Sequence, residues 1–170
     1  MRPVTWYELA LRGLPWTAAA PGPPPQARER GSLAGLDGVR LTVHTPDGLP
    51  QGAGPVRDWL QRDAESRLRD AGVPLLAADD WVQKPGRPEL RLTVKALRHD
   101  AGIYVLCVLL ELAQEVRLET DPSRRVPAVT WSASAGPGLV GQYGVRRALD
   151  EASRLVAIFA DHYRTANPGR

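Results

Sequence analysis

Apolar and polar positions alternate along residues 39–45, with Val39, Leu41 and Val43 against Arg40, Thr42 and His44. A period of two marks a strand with one buried face. Pro46-Asp47-Gly48 supplies turn chemistry and ends it. From Pro55 the period lengthens. Val56, Trp59, Leu60, Ala64, Leu68 and Ala71 fall on one helical face, Pro55 suits the first turn, and Gly72 suits the C′ stop. Residues 73–76 form a short extended run. Asp79 or Asp80 caps a short helical turn that carries Trp81, and residues 84–88 read as a loop.

Leu90, Leu92, Val94 and Ala96 alternate with Arg91, Thr93 and Lys95, a second clear strand. His99-Asp100-Ala101-Gly102 is a tight connection into the longest apolar run, residues 103–118. Its even positions are nearly all apolar. Its odd positions start apolar (Val105, Cys107, Leu109) and end polar (Glu111, Glu115, Arg117). The pattern predicts a long strand, covered first on both faces and later on one. Residues 126–132 give the next strand, with Val129 and Trp131 on one side, and the glycine-rich residues 132–144 read as a mobile connector. Val145, Leu149, Ala152, Val156, Phe159 and Tyr163 then repeat at helical spacing, so a helix spans about residues 145–163.

The order β-α-β-β-β-β-α, with its last strands joined by short turns, predicts an α+β two-layer sandwich. A mainly antiparallel sheet of four or five strands carries two helices on one face. Glycine and proline number 16 each and concentrate in residues 13–55, 85–88 and 136–144, so they punctuate an ordered body. No apolar run reaches 18 residues, the length of an ordinary membrane-spanning helix. The single cysteine excludes an intrachain disulfide framework and a cysteine-based zinc site.

Lys+Arg exceed Asp+Glu by 22 to 19, a formal net charge of +3. Lys84 and Lys95 are the only lysines; arginine supplies the rest. The arginines alternate with acidic residues along residues 57–70, a salt-bridged solvated face, and only Arg124-Arg125 and Arg146-Arg147 form like-charge pairs. Phosphate binding needs a dense basic stripe, which is missing, so a nucleic-acid partner ranks last.

Residues 1–34 differ from the rest. Trp6, Tyr7, Leu9, Leu11, Leu14 and Trp16 precede the run Pro21-Gly22-Pro23-Pro24-Pro25, which reads as an extended polyproline spacer. Arg12 interrupts the apolar stretch, so it does not read as a secretory signal. Those six side chains are the candidate partner-binding residues of an aromatic arm ahead of a single domain at residues 35–168.

Chemistry is sparse. His44, His99 and His162 lie near Asp47, Asp100 and Asp161, but not at metal-ligand or catalytic spacing. Cys107, among Val105, Leu106 and Val108, reads as a buried, inert thiol. Ser132 and Ser134 lack the Gly-x-Ser-x-Gly elbow. The glycine-rich stretch precedes a helix N-terminus, so Gly141, Gly144, Arg146 and Arg147 are the candidate anion-binding residues. The spacing matches neither a P-loop nor a dinucleotide fingerprint. No catalytic residue, metal ligand or cofactor is assigned.

Several strings carry a resemblance. Gly35-Leu36-Asp37-Gly38-Val39 leads a strand; Ala71-Gly72-Val73-Pro74-Leu75, Trp81, and Leu90 to Val94 follow. Ala128-Val129-Thr130-Trp131-Ser132 and the final Phe159…Tyr163…Asn167-Pro168 are the most specific parts. Over roughly residues 35–168 the chain resembles a family of short bacterial hypothetical proteins, many of them exported. The family has no established activity, so the resemblance implies domain boundaries and an extracytoplasmic setting but transfers no catalytic residue. The element order is also similar, at the level of fold alone, to periplasmic accessory domains of lipoproteins and translocation machines. The expected function is a non-catalytic interaction module: an accessory or stabilising subunit of a larger protein assembly, at a membrane surface, docking partly through the arm. The alternatives are a small-ligand or anion-binding domain or weak enzyme built on residues 132–144, and then nucleic-acid binding.

Overall fold

The computed structural model describes residues 27–46, 53–98, 103–141 and 145–169. The described elements are, in chain order, helix α1 (Ala27–Gly31), strand β1 (Arg40–His44), helices α2 (Ala53–Asp70) and α3 (Ala78–Gln83), strands β2 (Glu89–Arg98), β3 (Tyr104–Leu118) and β4 (Asp121–Val140), and helix α4 (Val145–Ala166). They form an α+β fold around one four-stranded mixed sheet of order β1-β2-β3-β4.

The first two strands are parallel, Leu41 opposite Leu90 and Val43 opposite Leu92, so α2 is the crossover that a parallel pair requires. The other two pairings are antiparallel, with Leu92 opposite Leu110 and Leu112 opposite Trp131. The expected short strand at residues 73–76 is reduced to one bridge, Val39 to Leu75; strand pairing there stops at that residue pair. At the other end β4 is longer than the alternation suggested. It begins at Asp121 and continues through the glycine-rich stretch to Val140. Residues 132–140 are therefore strand rather than loop. Small residues suit this strand: Ala133, Ala135 and Gly138 lie opposite Leu110, Val108 and Leu106, so small side chains face large ones.

Helix α2 buries Val56, Leu60, Ala64 and Leu68, and α4 buries Ala148, Ala152, Leu155, Val156, Phe159, Ala160 and Tyr163. Both helices meet the sheet, α2 at β1 and α4 at β3 and β4, and they pack on each other. Their apolar stripes close on the even positions of β2 and β3, Leu90, Leu92, Val94, Leu106, Val108, Leu110 and Leu112, to form the core. Burying a side chain of this kind stabilises by about 1.5–3 kcal/mol, so this one contact layer dominates the fold.

Local chemistry sets the helix ends and faces. Gly72, at φ 76°, donates to the Arg69 carbonyl at 2.9 Å, and Val73 donates to that of Leu68 at 2.8 Å. This is the paired closure of a Schellman motif, and it confirms the stop expected from Gly72. On the outer face of α2, Arg67 donates to Asp63 and Arg69 to Glu65, each at 2.8 Å with the acid four residues earlier. These are the solvated pairs anticipated from the charge alternation, each worth a few tenths of a kcal/mol.

The packed body reaches ahead of Gly35. Leu33 and Leu36 belong to the core, and Ser32 Oγ donates to the Thr130 carbonyl at 3.0 Å. Residues Trp6, Tyr7, Leu9, Leu11, Leu14 and Trp16, and the proline run that follows them, lie outside the described residues.

Candidate interaction surface

Because helices cover one face of the sheet, the odd positions of β2 and β3 project to the other. Cross-strand neighbours there are Arg91 and Glu111, Thr93 and Leu109, Lys95 and Cys107, and Leu97 and Val105. On β4, Ser132, Ser134 and Leu139 continue the rows from Glu111, Leu109 and Val105.

The two ends of this face differ in character. At the start of β2 it is charged and partly roofed. Trp81, carried by α3, lies under the Arg40 guanidinium, 5.0 Å from ring centre to carbon. Arg91 meets Glu89 at 2.6 Å, and Arg87 meets Glu115 at 3.1 Å. A recess of about 130 Å³ opens between Trp81, Arg87, Glu89, Arg91, Glu115 and Pro127. Its arginines and glutamates compensate one another, so it offers no net charge to an anion or a cation. The Trp81 Nε1–H and the Thr42 hydroxyl are buried and find no hydrogen-bond partner among the described residues.

At the opposite end the face is apolar and open. Leu97 is 70% exposed and Leu139 51%, with half-buried Val105 between them in the same row and half-buried Cys107 and Leu109 in the next rows. The expectation that this part of β3 is covered on both faces is corrected. The even positions are buried, whereas the odd ones are only half covered, because the described residues contribute no second layer. Cys107 is likewise half-buried rather than enclosed.

Among the described residues the remaining candidates do not converge. Gly141 is exposed just beyond β4, and Gly144 lies outside the described residues. Arg146 and Arg147 occupy the exposed first turn of α4, and Arg147 lines a recess of about 20 Å³ with Leu106, Gly136 and Glu151. Residues 132–140 are strand paired to β3. His44 is exposed at the end of β1, and His99 lies outside the described residues. His162 accepts a hydrogen bond at Nδ1 from Trp131 Nε1 at 3.2 Å. Burial, and after it the nearby Arg30, hold its pKa below the ordinary histidine value, while Asp161 pulls the other way. Among the described residues no group of acidic, histidine or cysteine side chains is placed to hold a metal ion, and no helix is long and apolar enough to cross a membrane.

The most specific strings of the sequence prove to be one structural clamp. Tyr163 Oη donates to the Leu36 carbonyl at 2.8 Å. The Asn167 side chain accepts from Gly35 N–H at 2.8 Å and donates to the Leu33 and Tyr163 carbonyls at 2.9 Å each. Trp131 meets Phe159 edge-on at 5.0 Å beside them. Together they fix residues 33–36 to the end of α4. The surface that sequence reasoning missed is the apolar row at residues 97, 105 and 139. Its signal was present in the apolar odd positions of β3, which read as an already covered face.

No family model matches the chain, and no curated protein does. Among solved structures it is similar to a PelC dodecamer chain from Paraburkholderia phytofirmans, with a TM-score of 0.37 and 20% identity over 76% of this chain and 92% of that one.

Proposed function

We propose that this protein is a non-catalytic interaction module, an accessory or stabilising subunit of a larger protein assembly. It docks through the open sheet face together with the aromatic arm of Trp6, Tyr7, Leu9, Leu11, Leu14 and Trp16. One observation carries the reading: β3 is apolar on both faces over Val105, Cys107 and Leu109, yet the described fold covers only one of them. A soluble domain rarely leaves an apolar row open unless something binds there. An assembly at a membrane surface, outside the cytoplasm, is the setting that the family resemblance implies.

The test is a native pull-down with mass spectrometry, using wild type and a Leu97→Asp, Leu139→Asp double variant. Both positions are more than half exposed, so the variant should keep the wild-type circular dichroism and melting point while losing the co-purifying protein. Recovery of the same partner at unchanged affinity by the double variant, and also by a chain lacking residues 1–26, would refute the proposal.

A further inference from the structure

Strand β1 is one edge of the sheet, and the bonds beside it fix which way its backbone groups point. Val39 N–H donates to the Pro74 carbonyl and the Val39 carbonyl accepts from Leu76 N–H, each at 2.9 Å, so residue 39 points away from β2. Arg40 N–H donates to the Pro88 carbonyl at 3.0 Å, so residue 40 points toward β2. Alternation then sends the N–H and C=O groups of Leu41 and Val43 outward. None of these four groups has a partner among the described residues. The segment that pairs with Val39 goes no further, because α3 starts at Ala78 and takes the chain away. We propose that the edge at residues 41–43 is a peptide-binding site, where an extended segment of a partner protein adds as a fifth strand in line with residues 74–76.

A groove of about 240 Å³ lies at this edge, lined by Leu41, Leu75 and Leu76 from the strand layer and by Gln61, Glu65 and Arg69 from α2. Leu41 and Val43 share the helix-covered face with their β2 neighbours Leu90 and Leu92. Alternate side chains of an added strand point to that same face and so enter the groove. The charged part of the wall is already balanced, since Glu65 accepts from Gln61 at 2.6 Å and from Arg69 at 2.8 Å. The groove therefore suits an uncharged, apolar side chain. Its volume is below the roughly 300 Å³ at which pockets for drug-sized ligands begin, so it takes a side chain or two rather than a whole small molecule. In this mode of recognition main-chain bonds supply affinity and the pockets for alternate side chains supply selectivity.

The shape of the edge favours a thin occupant. Val43 is buried and Leu41 half-buried, although among the described residues no strand lies outside them, so the edge is recessed beside α2. A second copy pairing through its own β1 would bring its own α2 to the same level, and the two helices would meet before the strands closed to the pairing distance of about 4.8 Å. A single extended segment carries no such layer. The site is at the opposite edge of the sheet from β4 and uses neither the apolar row of Leu97, Val105 and Leu139 nor the aromatic arm. It is therefore a separate docking point, which stands whether or not that row binds a partner.

The test uses the full chain and a blocked heptapeptide that alternates valine and threonine between terminal lysines, followed by NMR titration and amide hydrogen exchange. In the free protein the Leu41 amide should exchange faster than that of Thr42, whose N–H points to β2. At ten times its Kd the peptide should slow Leu41 exchange about tenfold. The same peptide methylated at every backbone nitrogen should leave it unchanged. Leu41→Pro removes one outward donor and leaves the β2 ladder intact, as proline can on an edge strand, and should weaken binding roughly two- to tenfold. Gln61→Trp, on the α2 wall, fills the groove and should weaken binding at least as much, which keeps the test open if the proline variant does not fold. An unaltered Leu41 amide at millimolar peptide, or unchanged affinity in the Gln61→Trp variant, overturns the proposal. Slow Leu41 exchange in the dilute free chain also overturns it and assigns the edge to another part of this chain. Protection that grows with protein concentration in the absence of peptide overturns it in favour of a second copy.

Discussion

Asn167 is the sole buried polar residue among those described, 8% exposed, and replacing it tests whether the clamp at the end of α4 holds the fold closed. Asn167→Ala removes three side-chain hydrogen bonds at once. The Tyr163 carbonyl keeps the Asn167 backbone N–H at 3.0 Å, and the Leu33 carbonyl keeps a long bond of 3.4 Å from Leu36 N–H. Gly35 N–H loses the partner that the side chain supplied. Gly35 is an exposed residue, so water can replace that partner, and the three lost bonds cost roughly 1 kcal/mol each. The expected loss is about 3 kcal/mol. For a domain of this size that lowers the melting temperature by about 6–12 °C. Urea denaturation followed by circular dichroism measures it, with an unchanged m-value showing that the native state alone was altered. Asn167→Asp separates the two roles of the side chain. It keeps an acceptor for Gly35 but sets a carboxylate against the Leu33 and Tyr163 carbonyls, so at neutral pH it should be no more stable than the alanine variant. A loss below about 0.5 kcal/mol for alanine, within the range of ordinary surface changes, or wild-type stability for aspartate at neutral pH, would refute the clamp.

The pH dependence follows from His162, which must be neutral at Nδ1 to accept from Trp131. Its folded pKa lies below that of the unfolded chain, so the unfolded state takes up a proton first as pH falls through about 6.5. Stability is therefore fully present above that pH and declines below it, down to the folded pKa, and urea titrations between about pH 5 and 8 should show a slope that His162→Gln reduces. Gly38→Ala places a Cβ 2.6 Å from the Pro74 carbonyl at a backbone φ of 144°. It should destabilise by roughly 1–3 kcal/mol in thermal melts, because Val39 N–H must hold that same carbonyl at 2.9 Å. Asp63 accepts from Ser153 at 2.6 Å and Arg67 at 2.8 Å, joining α2 to α4. Asp63→Ala should cost about 1 kcal/mol, and a double-mutant cycle with Ser153→Ala should give a coupling of about 0.5 kcal/mol or more.

The architecture was legible where a single periodicity governs a segment. The alternation in β2, the helical stripes of α2 and α4, and the glycine stop at residue 72 each follow from one local rule, and each appears in place. The misreadings arose where a residue's meaning depends on what lies across from it. Glycine-rich residues 132–140 looked like a connector, yet their smallness is complementarity: Gly138 and Ala135 stand opposite Leu106 and Val108, where larger side chains would crowd α4. The apolar odd positions of β3 looked like a covered strand, because composition records that a face is apolar and not whether a layer exists to cover it. The clamp shows the converse. Asn167 and Tyr163 are separated from residues 33–36 by nearly the whole chain, so no periodicity could pair them, although the resemblance had marked those same residues as the most specific of the sequence. Their roles here are hydrogen bonds that close the fold, so their distinctiveness is structural. That shifts the search for function away from the most recognisable strings and onto the uncovered row of Leu97, Val105 and Leu139, where the sequence supplies apolar side chains that the described fold does not use.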